Sequence, residues 1–349
     1  MPENLLQHDT KTTEHPADAG SPRPGDRPSR PTVAVTVVTS NEDLIIPCLD
    51  SLLKNGPGDY CDLKILVAWN APWCGGPPLP TELVKRYPGL VMIESSISGF
   101  AENENVLLTN TLADYYFIIN DDIVFLPGSI QKPLEYLERP ENRKVGMLAI
   151  RLLNSDGTLQ PSTYSSPGIL RIVLALSRLR SLLPLTGRLF RFASFLGLGR
   201  GRSRYWPHDE TVEVETFRGS YMVVRHEALR EVGLMDLMGG EETEWHIRFR
   251  EKGWKVVFHH EAEVIHLGSA TVSKDPYRDL IELRGALNIY YKHMPPWRYA
   301  LLRACCFLIY VGKYLAASLR WTSTAQDVAR KALRLIIRWP NVRSGRNSE

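Results

Sequence analysis

The chain has 349 residues, of which 44% are hydrophobic and 23% charged, and its formal net charge is +3. This ordinary globular composition excludes a chain that is disordered throughout, and the length allows one large domain or two smaller ones. The five cysteines form no CxxC pair, which indicates free thiols in a reducing cytoplasm. Residues 1–30 are polar and proline-rich, so we predict a disordered tail without a secretory signal.

Apolar, β-branched runs alternate with helical patterns in the first part of the chain. These runs predict strands over 32–38, 63–68, 90–94 and 115–119. Ser40 or Asn41 is expected to cap the helix that follows the first strand. Alternating strands and helices predict an α/β fold with a central, mostly parallel sheet flanked by helices. The first turn has no GxGxxG motif, which argues against a dinucleotide-binding domain.

The second half continues this alternation with two interruptions. We predict strands over 145–152, 213–224, 254–258 and 262–266, a polar loop over 153–164, and helices over 241–252 and 279–294. Residues 31–295 then form a catalytic domain, 165–208 a basic, apolar insertion, and 296–349 a C-terminal set of basic amphipathic helices. No acidic residue lies between Gly157 and His208.

The insertion and the C-terminal helices combine apolar and basic side chains. From Leu283 onwards there are twelve Lys or Arg and two acidic residues. Their neighbours are Leu, Ile and Phe, so we expect an anionic membrane surface as a partner and not a nucleic acid. Arg303 and Lys313 interrupt the apolar run 297–320, which disfavours a membrane span. The alternative for both segments is a helical subdomain packed on the core.

Two adjacent carboxylates, Asp121 and Asp122, end the buried run 115–119. Carboxyl ends of parallel strands are where α/β proteins bind ligands, and hard oxygen ligands suit Mg²⁺ or Mn²⁺ shared with a phosphate. A turn that caps the strand is the alternative.

Three further features lie at strand ends or helix starts. The Glu241–Glu244 segment follows two glycines, which would let the backbone approach a ligand closely; an acidic first turn that complements the helix dipole is the alternative. His266 ends a strand-like run and is a candidate third ligand, or a structural histidine. Trp69 and Asn70 could stack on and hydrogen-bond a base, or form a turn with a packed Trp.

These features occur in an order that resembles the family 2 glycosyltransferases of the GT-A fold, and most of all their bacterial rhamnosyltransferase branch. The matching pieces, between Val33 and about His293, are VAVTVVTSNEDL, GFAENENV, FIINDDIVFLPGSI, RLLNSDGTLQPS, FRGSYMVVRHEALREVGLMD, EETEWHIRFREKGWKVVF, EAEVIHLGSAT and NIYYKH. Each piece is weak by itself, but the ordered set is specific.

The resemblance implies a role for each matching position. Asp122, Asp121 and His266 match the metal site, with Asp122 the more direct ligand, and Glu242 matches the general base. The remaining matches form the nucleotide-sugar pocket: Thr39, Glu42, Trp69, Asn70, Asn105, Asp121, Gly219 and Ser220. The implied cofactor is Mg²⁺ or Mn²⁺.

The implied reaction is the inverting transfer of a hexosyl group from a nucleoside diphosphate sugar to a hydroxyl of a lipid-linked or surface glycan. Deoxythymidine-diphosphate rhamnose is the candidate donor. Together with the basic, apolar segments, this predicts a cytoplasmic enzyme bound peripherally to the inner face of the cell membrane.

The chain departs from the family pattern in three places. The family usually has aspartate where Trp69 stands, and Trp69-Asn70 resembles the retaining, exostosin-type GT-A transferases. Its general base is usually aspartate where this chain has Glu242, and the insertion 165–208 is long. Two alternatives follow: a retaining GT-A transferase of another hexose, or a catalytically degenerate GT-A domain that acts as a membrane-bound scaffold.

Overall fold

A computed structural model describes residues 30–70, 76–95, 99–166, 168–177, 206–236, 239–268 and 277–339 of the chain. The predicted tail and most of the insertion 165–208 therefore lie outside the described residues.

Twelve strands are described, mostly rich in Val, Ile and aromatic residues. They are β1 (Thr32–Thr39), β2 (Asp62–Trp69), β3 (Leu90–Glu94), β4 (Tyr115–Asn120), β5 (Ile123–Phe125), β6 (Val145–Leu153), β7 (Leu159–Gln160), β8 (Thr163–Tyr164), β9 (Val212–Glu213), β10 (Thr216–Phe217), β11 (Tyr221–Arg225) and β12 (Lys255–His266).

Ten α-helices are described alongside them. They are α1 (Glu42–Asn55), α2 (Thr81–Arg86), α3 (Phe100–Thr109), α4 (Gln131–Glu138), α5 (Ile169–Leu176), α6 (His226–Val232), α7 (Glu241–Glu251), α8 (Arg278–His293), α9 (Pro296–Leu319) and α10 (Ser323–Arg338). Asn41 caps α1, as expected, because its side-chain oxygen accepts a hydrogen bond from the Asp43 amide at 2.9 Å.

The main sheet has the strand order β3-β2-β1-β4-β11-β6-β12-β5, and β7 and β9 pair at its sides. The first four of these strands are parallel to one another. β11 runs antiparallel to both β4 and β6, and β6 and β12 are again parallel. The parallel strands β1, β2 and β4 end at the same edge, which gathers the residues that follow them.

Helices cover both faces of this sheet, because alternate side chains of each buried strand enter two apolar clusters. In β1, Val33, Val35 and Val37 join the cluster that contains α1, α2 and α4. Ala34 faces the other cluster, which contains α3, α6 and α7. This confirms the predicted central, mostly parallel sheet flanked by helices, the architecture expected from the resemblance to the GT-A fold.

A third apolar cluster joins α5, α8, α9 and α10. Ile172 and Leu176 of α5 enter this cluster, so the described helix of the predicted insertion packs on other helices. The helices α9 and α10 form a hairpin, called here the C-terminal hairpin, that packs on α8.

Three local predictions need correction. The run 213–224 is three short strands and not one, because β9 pairs with β12, β10 with β8, and β11 with β4 and β6. The two strands predicted over 254–266 are one strand, β12, with a register irregularity between His259 and Glu263. The predicted loop 153–164 contains β7, which folds back on β6, and β8.

Candidate active site

The turn between β4 and β5 carries Asp121 and Asp122. Because Val38 of β1 pairs with Asn120 of β4 in parallel register, the ends of the two strands meet. The Thr39 hydroxyl donates a hydrogen bond to Asp121 Oδ2 at 2.7 Å. Burial, with the neighbouring charge of Asp122, raises the pKa of Asp121 despite this hydrogen bond.

His266 lies beside Asp122 because β12 pairs antiparallel with β5, with His266 opposite Ile123. The His266 Nε2 and Asp122 Oδ1 atoms are 3.3 Å apart, and both side chains are buried. The Leu267 amide also donates to the Asp122 carbonyl at 3.0 Å. Two of the three predicted metal ligands therefore face each other.

Gln160, on β7, contacts the other nitrogen of the same imidazole. Its Oε1 lies 2.6 Å from His266 Nδ1, and its amide nitrogen donates to Asn154 Oδ1 at 3.0 Å. Since the amide nitrogen is the donor to Asn154, Oε1 is the acceptor and Nδ1 carries the proton. The other ring nitrogen, Nε2, faces Asp122.

This arrangement suits a divalent cation. A carboxylate oxygen and an imidazole lone pair repel each other unless a cation or a proton lies between them, and both are ordinary ligands of divalent metals. In the described part of the chain, no group of three His, Cys, Asp or Glu side chains surrounds such a position. Asp122 and His266 would be the protein ligands of such a cation.

Glu242 lies in the first turn of α7, directly after Gly239 and Gly240. Gly240 has φ +71, a left-handed conformation that favours glycine. The Glu242 carboxylate lies against Gly219, whose amide donates a hydrogen bond to it, and a Cβ on Gly219 would come within 2.0 Å of Glu242 Oε1. The fold therefore brings together two residues that the resemblance assigned to separate roles.

The environment of Glu242 tunes its acidity. Burial and the neighbouring charge of Glu241 raise the pKa of Glu242 to about 7, against the Gly219 hydrogen bond and the charge of Arg218. The Ser220 carbonyl accepts a hydrogen bond from the Asn120 amide at 3.1 Å, which joins the Gly219-Ser220 segment to the end of β4, directly before Asp121. A carboxyl group that titrates near neutral pH is suited to general-base chemistry.

Two expected pocket residues are engaged elsewhere. The Trp69 indole is 1% exposed, and its N–H donates to the Pro77 carbonyl at 3.1 Å. The Asn105 amide pairs with both backbone groups of Met235, at 2.9 and 3.0 Å. This packing is consistent with the structural alternative for Trp69, a packed ring at a strand end, and it gives Asn105 a structural contact. The nucleotide contacts of both residues stay predictions.

The other expected pocket residues lie near the strand ends. Glu42 is the exposed first residue of α1, and the Asn70 amide donates to the Thr39 carbonyl at 2.9 Å.

Sequence reasoning missed Gln160 and Arg218. Both belong to quoted pieces of the resemblance, RLLNSDGTLQPS and FRGSYMVVRHEALREVGLMD, which was the available signal. The Arg218 guanidinium donates to the Tyr164 hydroxyl at 3.0 Å and lies close enough to Glu242 to lower its pKa.

Known proteins resemble this chain in sequence and in structure. No protein-family model matches the chain. The chain is similar to the N-acetylglucosaminyl-diphospho-decaprenol L-rhamnosyltransferase of Mycobacterium tuberculosis, in strains CDC 1551 / Oshkosh and ATCC 25618 / H37Rv. This chain and the relative are 24% identical over 249 residues, which cover 63% of this chain and 73% of the relative.

Two solved structures are more distantly similar, each with a TM-score of 0.46 and 15% identity. One is the mannosyltransferase PcManGT from Pyrobaculum calidifontis in complex with GDP-Man and Mn²⁺; the similarity covers 88% of this chain and 87% of that chain. The other is GalNAc-T7 with UDP, GalNAc and Mn²⁺, with 68% of this chain and 43% of that chain covered.

The resemblance to bacterial rhamnosyltransferases that the sequence motifs predicted is confirmed by the similarity to the mycobacterial enzyme, and with it the prediction of an enzyme of the glycosyltransferase class.

Proposed function

We propose that the chain transfers a hexosyl group, rhamnose in the first instance, from a nucleoside diphosphate sugar to a hydroxyl of a lipid-linked or surface glycan. The observation that carries this proposal is the surroundings of two carboxylates, Asp122 and Glu242. Asp122 Oδ1 lies 3.3 Å from His266 Nε2, and Glu242, with its pKa raised to about 7, lies against Gly219. The mycobacterial relative is named for an L-rhamnosyl transfer to N-acetylglucosaminyl-diphospho-decaprenol, which supports these choices of donor and acceptor.

In this proposal, Asp122 and His266 act at the leaving diphosphate, and Glu242 acts at the acceptor hydroxyl. Asp122 and His266 would hold Mg²⁺ or Mn²⁺, which when bound neutralises the charge that develops on the leaving diphosphate. Thr39 keeps Asp121 turned towards the end of β1. The Arg218 guanidinium adds a positive charge near Glu242.

Glu242 would accept the proton of the acceptor hydroxyl as that oxygen attacks C1 of the sugar. Attack from the face opposite the leaving diphosphate inverts the anomeric centre. A base with a pKa near 7 is partly deprotonated at neutral pH and still basic enough to take the proton.

The test is transfer by the purified chain from deoxythymidine-diphosphate rhamnose to an N-acetylglucosaminyl-diphospho-polyprenol acceptor, with Mn²⁺ or Mg²⁺. We expect product with inverted configuration by NMR, loss of transfer with a chelator, and loss with Asp122→Ala. Retention of configuration would contradict the inverting mechanism, and transfer from another nucleotide sugar in place of the rhamnose donor would support the transferase of another hexose. Absence of turnover with every nucleotide sugar, with Asp122→Ala indistinguishable from the unsubstituted chain, would overturn the proposal in favour of a scaffold.

A further inference from the structure

Helix α9 has two faces with different neighbours. One face is buried in the third apolar cluster, through Tyr299, Leu302, Cys306 and Tyr310. Because these residues pack on α5, α8 and α10, protein covers this side of the helix.

The opposite face of α9 is apolar and exposed to solvent. Its large side chains, called here the apolar face, are Trp297, Leu301, Phe307, Leu308, Leu315 and Leu319. Leu301, Leu308 and Leu315 are spaced seven residues apart and thus lie in one row, and Leu308 is 70% exposed. A continuous apolar row of this kind indicates an interaction surface.

Two of the three charged side chains of α9, Arg303 and Lys313, lie away from this row. The Arg303 guanidinium donates to the Ile336 carbonyl of α10 at 2.9 Å. Lys313 Nζ pairs with Asp279 of α8 at 2.8 Å. The charges that interrupt the apolar run in the sequence are therefore engaged with neighbouring helices.

The C-terminal hairpin also exposes a set of basic side chains, called here the basic border. Arg298 and Arg320 stand near the two ends of α9, and Arg330, Arg334 and Arg338 are exposed on α10. Asp327, an acidic residue of the hairpin, pairs with Lys331 at 2.8 Å. A second copy of the chain would bring two such basic borders together, whereas an anionic surface complements them.

Tryptophan side chains at both ends fit a lipid interface. Trp297 and Trp321 are exposed near the start and just past the end of α9, and indoles concentrate at the headgroup level of membranes. By length and composition α9 could cross a membrane, but its buried face is covered by protein, so lipid can reach one side of it. This geometry fits a helix that lies in the plane of the interface.

We propose that the apolar face of α9 and its basic border dock the protein on an anionic lipid surface, with α9 parallel to the membrane. This proposal rests on the surface of the hairpin and not on the sugar-transfer reaction. It combines the two alternatives that the sequence left open, because the inner side of the hairpin packs on the catalytic domain while the outer side meets lipid.

Vesicle flotation of the full chain tests this proposal. The probes are phosphatidylcholine vesicles with and without phosphatidylglycerol. We expect flotation with the anionic vesicles, weakened by salt because the basic border contributes. Leu308→Glu should weaken partitioning roughly tenfold or more, since it replaces an exposed leucine at the lipid contact with a negative charge.

A matched control is Leu112→Glu, which changes a leucine that is 69% exposed on the catalytic domain and should float as the unsubstituted chain does. Circular dichroism checks that both variants fold. The proposal is overturned if the chain does not float with anionic vesicles or if both variants float alike. It is also overturned if Leu308→Glu dissociates a dimer of the chain and leaves vesicle binding unchanged. Resistance to alkaline carbonate would also contradict it, because an in-plane helix is extractable.

Discussion

At the scale of single residues, the Asp122–His266 pair depends on Gln160, which contacts neither the Asp122 carboxylate nor the nitrogen of His266 that faces it. Gln160 Oε1, 2.6 Å from His266 Nδ1, keeps the proton on that nitrogen and leaves Nε2 free to bind a metal. Hydrogen bonds of this kind orient metal-binding histidines and raise their affinity.

Gln160→Ala should therefore weaken Mn²⁺ binding by roughly 10- to 100-fold, measured by electron paramagnetic resonance of free Mn²⁺ without donor or acceptor. Gln160→Glu keeps an acceptor at Nδ1 and should retain most of the affinity. Gln131→Ala, which alters an exposed glutamine bonded to Glu135, is the control. Equal affinities of Gln160→Ala and Gln131→Ala would show that Gln160 does not orient the histidine.

The raised pKa of Glu242 predicts how kcat/KM depends on pH. If its carboxylate takes the acceptor proton, kcat/KM rises with pH as Glu242 deprotonates, with a midpoint near its raised pKa of about 7. Glu242→Gln should lower kcat by roughly 10²- to 10⁴-fold.

Glu241→Gln provides the sharper test, since the charge of Glu241 contributes to the raised pKa of Glu242. Removing that charge should move the acid limb of the pH profile to lower pH while activity persists. An acid limb that stays in place in Glu241→Gln would assign it to another group.

At the scale of elements, α8 holds the segment that leads into α7. Gly285 of α8 lies against the backbone of Gly240, so that a Cβ on Gly285 would come within 2.9 Å of the Gly240 nitrogen. One turn later, the Asn288 amide donates to the Gly239 carbonyl at 3.0 Å. The position of Glu242 thus depends on close backbone contact between two elements.

Two glycine substitutions should separate stability from activity. Gly285→Ala meets backbone that cannot swing away, so it should lower the free energy of unfolding by about 1–3 kcal/mol. Gly219→Ala meets the end of the flexible Glu242 side chain, so Tm should change little while kcat falls roughly 100-fold through the displaced carboxylate. Chemical denaturation and steady-state kinetics measure the two effects.

The control is Gly312→Ala, since a Cβ there meets no atom within 4 Å. It should stabilise α9 by roughly 0.5–1 kcal/mol. The interpretation fails if Gly219→Ala loses stability and activity in the same proportion as Gly285→Ala.

The same elements show what the sequence could predict. The strands β1 to β4 were predicted to within one or two residues, because each contains a run of apolar residues and this pattern is local. β9 and β10 were missed as separate strands, since each has two residues and forms by pairing with strands distant in the chain.

The candidate site divides in the same way. The ends of strands and the starts of helices can be predicted from local sequence patterns, and Asp122, Glu242 and His266 lie at such positions. The Gln160–His266 contact joins residues 106 positions apart, and the burial of Trp69 depends on Pro77 in a loop. Such contacts follow from tertiary packing, which composition and periodicity do not contain.

At the scale of the whole molecule, His293 connects α7, which contains Glu242, to α8, the helix on which the C-terminal hairpin packs. It ends α8, and its two ring nitrogens lie 3.1 Å from Glu244 Oε1 and 3.0 Å from Glu251 Oε1, both on α7. Burial lowers the pKa of His293, but its hydrogen bonds to Glu244 and Glu251 outweigh burial and raise that pKa overall.

A raised histidine pKa stabilises the folded protein when the imidazole is charged. The contribution of His293 is fully present below its unfolded-state pKa of about 6.5 and is lost as pH rises through the higher folded-state pKa. His293→Gln should therefore lower the free energy of unfolding by roughly 1.5–3 kcal/mol on the acid side of this window, and by less on its alkaline side. The measurement is urea denaturation of both proteins across the window. The difference between the two proteins isolates His293 from His246 and His259, because burial lowers the pKa of those two residues and their contribution is common to both. Stability curves that stay parallel at every pH would mean that the contact between α7 and α8 does not depend on the charge of His293.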